Sequence, residues 1–180
     1  MIKEIPNFLK KDACDAFIKF ASNKLEPAQV VGDIISEHRT AEYCWIRQPH
    51  PELDKLKEWV SKFIGYPVEN QEEIHIVKYN VGGEYKLHHD YFEFGDGENI
   101  RDCGNRTHSF LVYLNDDFEG GETEFPRLDL KIKPELGKAV CWVNTIQENP
   151  IVESEHAGLP VTKGEKWILI IWNRSHKFYK

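Results

Sequence analysis

Two potential metal ligands, His88 and Asp90, lie two residues apart in a segment with strand-like composition. On a β-strand, residues i and i+2 point to the same face, so this imidazole and this carboxylate can converge on one metal ion while His89 points away. His156, which ends a predicted strand and precedes a predicted turn, is the best candidate for a third ligand. Two histidines and one carboxylate form the facial triad of non-haem Fe(II), which leaves three coordination positions open for a cosubstrate and dioxygen.

A lysine that follows His156 by ten residues is the second feature with chemical potential. Lys166 begins an apolar run in which Ile168, Ile170 and Trp172 share its face by the period of two. Burying a lone ammonium costs on the order of several kcal/mol, so an inward-facing Lys166 requires an anion. The alternative is that Lys166 faces solvent at the first residue of its strand.

Two amphipathic helices are predicted ahead of these residues. The first covers residues 12–24, with Asp12 as a plausible N-cap, and the second covers residues 51–64, with Pro51 in its first turn. From residue 72 onward, β-branched and aromatic runs alternate with turn signals, which predicts seven or eight short strands. The predicted strands cover residues 74–81, 85–91, 107–114, 122–125, 138–143, 151–156 and 166–172. Helices followed by strands indicate an α+β, mainly β fold of the jelly-roll type.

Length and composition limit the classes of protein. The 180 residues correspond to about one domain, which we divide into a helical support region over residues 1–70 and a jelly-roll core over residues 71–180. A net charge of −7 argues against a nucleic-acid partner. The chain has no apolar stretch of membrane-spanning length and its N-terminus lacks the features of an export signal, so we expect a cytoplasmic protein without membrane contacts. No sequence feature specifies an oligomeric state.

Five longer sequence patterns follow one another between residues 75 and 172. They are Y-x-x-G-G-x-Y-x-x-H-x-D at Tyr79 to Asp90, R-x-x-[ST]-F-L-x-Y-L-N at Arg106 to Asn115, E-G-G-E-T-x-F-P at Glu119 to Pro126, P-x-x-G-x-A-x-x-W at Pro134 to Trp142, and H-A-G-x-P-V-x-x-G-x-K-W at His156 to Trp167. Together they resemble the catalytic domain of the prolyl 4-hydroxylase family of Fe(II)- and 2-oxoglutarate-dependent dioxygenases. The resemblance covers more than half of the chain, with a double-stranded β-helix as the implied fold.

The resemblance also implies an activity and the residues that carry it. The implied reaction is hydroxylation of a peptidyl substrate, prolyl 4-hydroxylation above all, with consumption of O2, release of succinate and CO2, and ascorbate as the reductant. The residues that it assigns are His88, Asp90 and His156 to Fe(II), Lys166, Tyr79 and Ser109 to 2-oxoglutarate, and Tyr85, Arg106 and Trp172 to a peptide groove.

Two other functions remain open at this point. One is a catalytically silent, cupin-like module that only binds a metal or a ligand. The other is a hydroxylase of a free amino acid or small metabolite, for whose carboxylate Arg106 or Arg174 could serve as a clamp. The acidic, glycine-containing segment over residues 92–105 follows the metal-ligand strand directly, which predicts a lid over the site.

Overall fold

The computed structural model describes residues 2–27, 29–30, 34–35, 39–47, 51–93 and 102–178. The helices are α1 (Lys11–Ala21) and α2 (Pro51–Ile64). The strands are β1 (Ile2–Ile5), β2 (Glu26–Pro27), β3 (Gln29–Val30), β4 (Ile34–Ile35), β5 (Glu42–Ile46), β6 (Ile74–Tyr79), β7 (Tyr85–His88), β8 (Arg106–Tyr113), β9 (Glu119–Gly120), β10 (Thr123–Phe125), β11 (Leu130–Ile132), β12 (Ala139–Val143), β13 (Thr145–Ile146), β14 (Asn149–Pro150), β15 (His156–Gly158), β16 (Val161–Lys163) and β17 (Lys166–Arg174). In the part of the chain that these ranges cover, no helix has both the length and the apolar character needed to cross a membrane.

Two antiparallel sheets, a major and a minor one, hold most of the strands, and the other described strands form the pairs β3-β4, β9-β16 and β13-β14. The major sheet has seven strands in the order β1-β12-β8-β17-β6-β5-β2, and the minor sheet has four in the order β11-β10-β15-β7. β17, the longest strand, lies in the middle of the major sheet between β8 and β6. The predicted α+β, mainly β fold of the jelly-roll type is therefore confirmed.

The alternation of side chains along β17 separates two hydrophobic cores. Trp167, Leu169 and Ile171 pack with the buried faces of α1 and α2. Ile168 and Ile170 point the other way and join the cluster that includes residues of the minor sheet. Because side chains on a strand alternate, Lys166 shares the face of Ile168, which places its ammonium between the sheets.

The first 70 residues contribute strands as well as helices. α2 has the predicted bounds, but β1 pairs with β12, and β5 pairs with β6, so both extend the major sheet. The region predicted as helical support therefore also contributes strands to the major sheet. The four or five residues of these strands are too few for a clear periodic pattern, and pairing with a distant strand stabilises them instead.

The predicted strand over residues 151–156 is also wrong. Residues Val152–Ser154 form a 3-10 turn, in which the amide of Ser154 donates to the carbonyl of Ile151 over 2.9 Å. His156 consequently opens β15 rather than ending a strand. Most of the predicted lid, residues 94–101, lies outside the described residues.

Candidate active site

The pairing of β7 with β15 brings two histidines together from distant parts of the chain. His88 and His156 are direct cross-strand partners, and their ring centroids are 4.3 Å apart. Asp90 lies in a bend just after β7, with its Oδ1 atom 3.7 Å from Nε2 of His88 and its Oδ2 atom 3.9 Å from Nε2 of His156. One donor atom from each residue lies within 4.8 Å of the other two. The three residues chosen from the sequence therefore converge, although Asp90 reaches the site through a bend rather than along a strand.

Backbone carbonyls set the tautomer of both imidazoles. Nδ1 of His88 is 2.8 Å from the carbonyl oxygen of Lys86, and Nδ1 of His156 is 2.8 Å from that of Ser154. A carbonyl oxygen only accepts hydrogen bonds, so each Nδ1 carries the proton and donates it. Each Nε2 therefore presents its lone pair to the space beside Asp90, which is the arrangement that metal-binding histidines adopt.

The charge states of these residues also suit a cation. Burial raises the pKa of Asp90, and the opposing effects come first from His156 and His88 in their protonated forms. With the nearby Arg106 and a hydrogen bond from Ser109, they lower the pKa of Asp90 to about 2. Burial, followed by the charge of His156, holds the pKa of His88 well below its ordinary value. At neutral pH the site thus offers an anionic carboxylate and a neutral imidazole, as metal coordination requires.

Lys166 lies next to this triad because β17 pairs with β6. Its register partner is Tyr79, and its Nζ atom donates to the carbonyl oxygen of Gly121 over 2.7 Å. The residue is only 2% exposed, so the solvent-facing alternative does not hold. Within the described ranges, no carboxylate forms an ion pair with Lys166, and burial lowers its pKa to about 7 despite the opposing charge of Glu122. The ammonium therefore needs a counter-anion from outside these residues.

The triad and Lys166 line the same pocket, which opens to solvent. Other aromatic and polar side chains complete its wall. They are Arg39, Tyr79, Tyr85, Thr123, Trp142 and Trp172. Two residues assigned from the sequence, Arg106 and Ser109, lie outside this lining.

Tyr85 forms the wall of the pocket directly beside His88, one of the three candidate metal ligands. Its ring stacks on that of His88, with centroids 3.4 Å apart and planes inclined by 15°. The guanidinium of Arg39 lies over the Tyr85 ring at 4.9 Å. A molecule in contact with Tyr85 would therefore lie close to both the guanidinium of Arg39 and the imidazole of His88.

Arg106 supports the site from behind Trp172. Its Nε and Nη2 atoms donate to the two carboxylate oxygens of Glu72 over 2.7 and 2.8 Å, and its guanidinium stacks on the Trp172 ring at 3.5 Å. Nε of Arg174 lies 2.6 Å from the same carboxylate. Both arginines that could clamp a free carboxylate are therefore already paired with Glu72.

Ser109 faces Asp90 rather than the pocket. Its hydroxyl donates to Oδ2 of Asp90 and accepts a hydrogen bond of 2.8 Å from Nδ2 of Asn144. Its assignment to 2-oxoglutarate stays a prediction, whereas the observed contact favours a role in orienting the carboxylate.

Three of the pocket's wall residues, Arg39, Thr123 and Trp142, were not assigned to the site from the sequence. Arg39 is 9% exposed, and its Nε atom finds no hydrogen-bond acceptor among the residues that the structure describes. It lies outside every pattern quoted above, so no local signal identifies it. Thr123, whose hydroxyl is 2.6 Å from that of Tyr113, belongs to the E-G-G-E-T-x-F-P pattern and could have been chosen from it.

The site is matched by a known family. A family model described as the 2OG-Fe(II) oxygenase superfamily matches residues 74–174, which is more than half of the chain. This chain belongs to that superfamily. The oxygenase is thus a 2-oxoglutarate-dependent dioxygenase that uses Fe(II), and the expected enzyme class and cofactors are confirmed.

Similarity to individual proteins identifies the family within this superfamily to which the oxygenase belongs. It is 33% identical over 179 residues to a putative prolyl 4-hydroxylase of Acanthamoeba polyphaga mimivirus, with 96% of this chain and 73% of the relative covered. It is 30% identical over 198 residues to prolyl 4-hydroxylase 5 of Arabidopsis thaliana, with 96% and 67% covered. The crystal structure of a viral collagen prolyl hydroxylase from Paramecium bursaria Chlorella virus-1, in complex with 2OG, matches with a TM-score of 0.79 and 29% identity, covering 96% and 95% of the two chains. The oxygenase is therefore a member of the prolyl 4-hydroxylase family.

Proposed function

We propose that this oxygenase hydroxylates prolyl residues within peptides, and that its 180 residues act as one domain. The observation that carries the proposal is a single pocket lined by the candidate metal triad, by the aromatic side chains of Tyr85 and Trp172, and by Lys166, whose ammonium forms no ion pair within the described residues. The names of its relatives, prolyl 4-hydroxylases of a virus and a plant, agree with this substrate class.

The residues of the pocket fit both the metal and the cosubstrate. His88, Asp90 and His156 would hold Fe(II) through two imidazole nitrogens and one carboxylate oxygen. Lys166, beside Tyr79, would bind the distal carboxylate of 2-oxoglutarate and so gain the anion that its burial requires. When bound, the metal and cosubstrate supply the oxidising chemistry that uses O2, releases succinate and CO2, and inserts one oxygen atom into a substrate C–H bond.

The outer part of the pocket suits an extended, proline-containing chain. Such chains lose little entropy on binding and dock against aromatic rings, which Tyr85 and Trp172 provide. Their carbonyl oxygens need donors, and the buried guanidinium of Arg39 lies over the Tyr85 ring. The three residues together would place a proline ring beside His88, while the walls of the pocket exclude water.

The structure weakens both alternatives. A hydroxylase of free amino acids needs a charged clamp, but the two arginines that the sequence offers for it, Arg106 and Arg174, already pair with Glu72. Arg39 is the arginine that lines the pocket, and the substrate panel below tests whether it binds a free carboxylate. A silent binding module has no need for a buried ammonium such as Lys166 beside the metal site. Lys166 therefore favours an enzyme that binds a dicarboxylate at this position.

The deciding experiment is a panel of possible substrates. Protein supplied with Fe(II), ascorbate, O2 and 2-oxoglutarate is incubated with proline-containing peptides, matched alanine-containing peptides, free proline and other amino acids. We expect succinate release and a mass gain of one oxygen atom only on prolyl peptides. If free proline is hydroxylated more efficiently than any peptide, the proposed peptide groove is wrong. If no substrate in the panel gives succinate, the protein is better explained as a binding module.

Trp172→Ala is predicted to impair peptide binding. Losing the ring face removes about 0.5–1.5 kcal/mol of aromatic contact beyond the loss of buried area, so we expect KM for the peptide to rise about tenfold. KM for 2-oxoglutarate should change much less, because Lys166 remains. Steady-state kinetics for each substrate measure both effects.

A matched control is Trp59→Ala on α2. Trp59 is 39% exposed and stacks on Phe63, with ring centroids 4.8 Å apart, so the same truncation occurs away from the pocket. Equal effects of the two variants on peptide KM would argue against a groove at Trp172.

The pKa of Lys166 predicts how cosubstrate binding depends on pH. Burial lowers this pKa to about 7, and only the charged ammonium pairs with a carboxylate. The ammonium is present below about pH 7 and is lost above it, so KM for 2-oxoglutarate should rise about tenfold for each pH unit above 7. Initial rates at several pH values measure this slope, and Lys166→Met should abolish it. A KM that is independent of pH in the unchanged protein contradicts the prediction.

A further inference from the structure

A chain of three buried polar side chains leads from the interior of the protein to the carboxylate of the metal triad. Nδ2 of Asn144 donates to the hydroxyl oxygen of Ser109 over 2.8 Å, and this hydroxyl donates to Oδ2 of Asp90. Asn144 and Ser109 are completely buried, and Asp90 is nearly so. Because water does not reach these groups, each one depends on its neighbours for hydrogen bonds.

Only one direction of donation satisfies Ser109 and Asp90, whereas Oδ1 of Asn144 has no hydrogen-bond partner among the described residues. The ionised carboxylate of Asp90 can only accept, so the single hydroxyl proton of Ser109 must point to it. The lone pair of Ser109 that remains on the opposite side then needs a donor, which the NH2 group of Asn144 supplies. If residue 144 presented an acceptor instead, it would compete with Asp90 for the proton of Ser109.

The backbone of Asn144 is fixed on both sides. The residue lies between β12 and β13, its amide donates to the carbonyl of Thr107 over 2.8 Å, and its carbonyl accepts from the amide of Ile151 over 2.8 Å. Ser109 is held equally firmly in β8, where Trp142 and Trp172 are its partners on the two neighbouring strands. The side-chain amide is therefore presented to Ser109 by a rigid part of the major sheet.

We propose that Asn144 is a positioning residue for the metal ligand, because it directs the proton of Ser109 onto Oδ2 of Asp90 and leaves Oδ1 to bind the metal. Asp90 would then occupy one coordination position, and the remaining positions stay available for the chelating cosubstrate and O2. This inference rests on the proposed function, since it takes His88, Asp90 and His156 as the metal ligands. Neither Asn144 nor Ser109 needs to touch the substrate for it to hold.

The test is the affinity of the metal-free protein for Mn(II), measured by electron paramagnetic resonance of the unbound ion. Mn(II) is the probe because it replaces Fe(II) in sites of this type without being oxidised in air. We expect Ser109→Ala and Asn144→Leu each to weaken binding about 10–100-fold, which is the usual effect of losing a partner of a metal ligand. The double variant should lose no more than either single one, because both act through one hydrogen bond. Ser109→Thr keeps the hydroxyl and should restore affinity to within about threefold.

Asn173→Leu is the matched control. Asn173 is also a buried asparagine, but its Nδ2 atom donates to the hydroxyl of Thr107 over 2.9 Å rather than towards Asp90. The Asn173→Leu variant should lower the melting temperature about as much as Asn144→Leu does, but its affinity for Mn(II) should stay unchanged. Mn(II) affinity that survives in Ser109→Ala or Asn144→Leu would overturn the inference, as would equal losses in Asn144→Leu and Asn173→Leu.

The same titration separates this inference from the proposed function. If His88→Ala loses Mn(II) while Ser109→Ala retains it, the metal site stands and only the role of Asn144 falls. If His88→Ala retains Mn(II), the metal site itself is wrong, and the inference falls with it.

Discussion

Alanine at His88, Asp90 or His156 should reduce succinate formation at least about 100-fold, since losing even an indirect partner of a metal ligand costs 10–100-fold. Each of these residues supplies one of three donor atoms that lie within 4.8 Å of one another. Removing one leaves two donors, which hold a divalent ion weakly. Succinate release in the presence of Fe(II) measures activity, and Mn(II) titration of the metal-free variants measures metal binding directly.

His89→Ala is the matched control for this result. The ring of His89 stacks on Tyr91 with centroids 3.8 Å apart, and its Nε2 atom is 3.1 Å from a carboxylate oxygen of Glu93. It neighbours two proposed ligands in sequence but points away from them. Loss of Mn(II) binding in His89→Ala together with its retention in His88→Ala would mean that the ligand assignment is shifted by one residue.

Lys166→Ala should raise KM for 2-oxoglutarate at least about tenfold, because a hydrogen bond to a charged group contributes about 1.5–3 kcal/mol. The effect arises from the distal carboxylate, so Mn(II) affinity in the absence of 2-oxoglutarate should stay nearly unchanged. Lys166→Met keeps most of the volume and removes only the charge, which separates the ion pair from packing. Steady-state rates at increasing 2-oxoglutarate give KM for both variants.

Lys163→Ala provides the comparison for Lys166. Lys163 lies three residues earlier, is exposed, and pairs with Glu119 over 2.8 Å, so its removal should leave KM for 2-oxoglutarate unchanged. An unchanged KM in Lys166→Met would place the carboxylate anchor elsewhere. Arg39 would then be the next residue to test, because Arg174 pairs with Glu72.

The parts of the fold that the sequence predicts are those with a strong local pattern. The apolar spacing of α2 gives its bounds, Pro51–Ile64, and the alternation along β17 places Lys166, Ile168 and Trp172 on the face that lines the pocket. His88 and Asp90 are also close in sequence, so a local rule suffices to bring them to one side. In each case the information lies within a few neighbouring residues.

The parts that could not be predicted depend on pairs of residues that are far apart in the chain. The ion pair between Glu72 and Arg106 joins β8 to the segment that precedes β6. No sequence feature of either segment predicts that it contacts the other. The contact of the Arg39 guanidinium with the Tyr85 ring and the contact from Asn144 to Ser109 are of the same kind. Sequence patterns indicate which face a side chain occupies, whereas its partner is decided by the assembly of the sheets.

Because His88 and His156 pair across β7 and β15, the metal site forms only when these two strands have come together. In a chain whose β7 and β15 are not yet paired, the metal-ligand atoms are far apart. Such a chain has no site that binds the ion. Folding and metal binding are therefore coupled, and the bound ion adds its binding free energy to the stability of the folded chain. At a free metal concentration 100 times Kd, this amounts to about 2.7 kcal/mol. The lifetime of the protein in a cell would consequently follow the supply of iron.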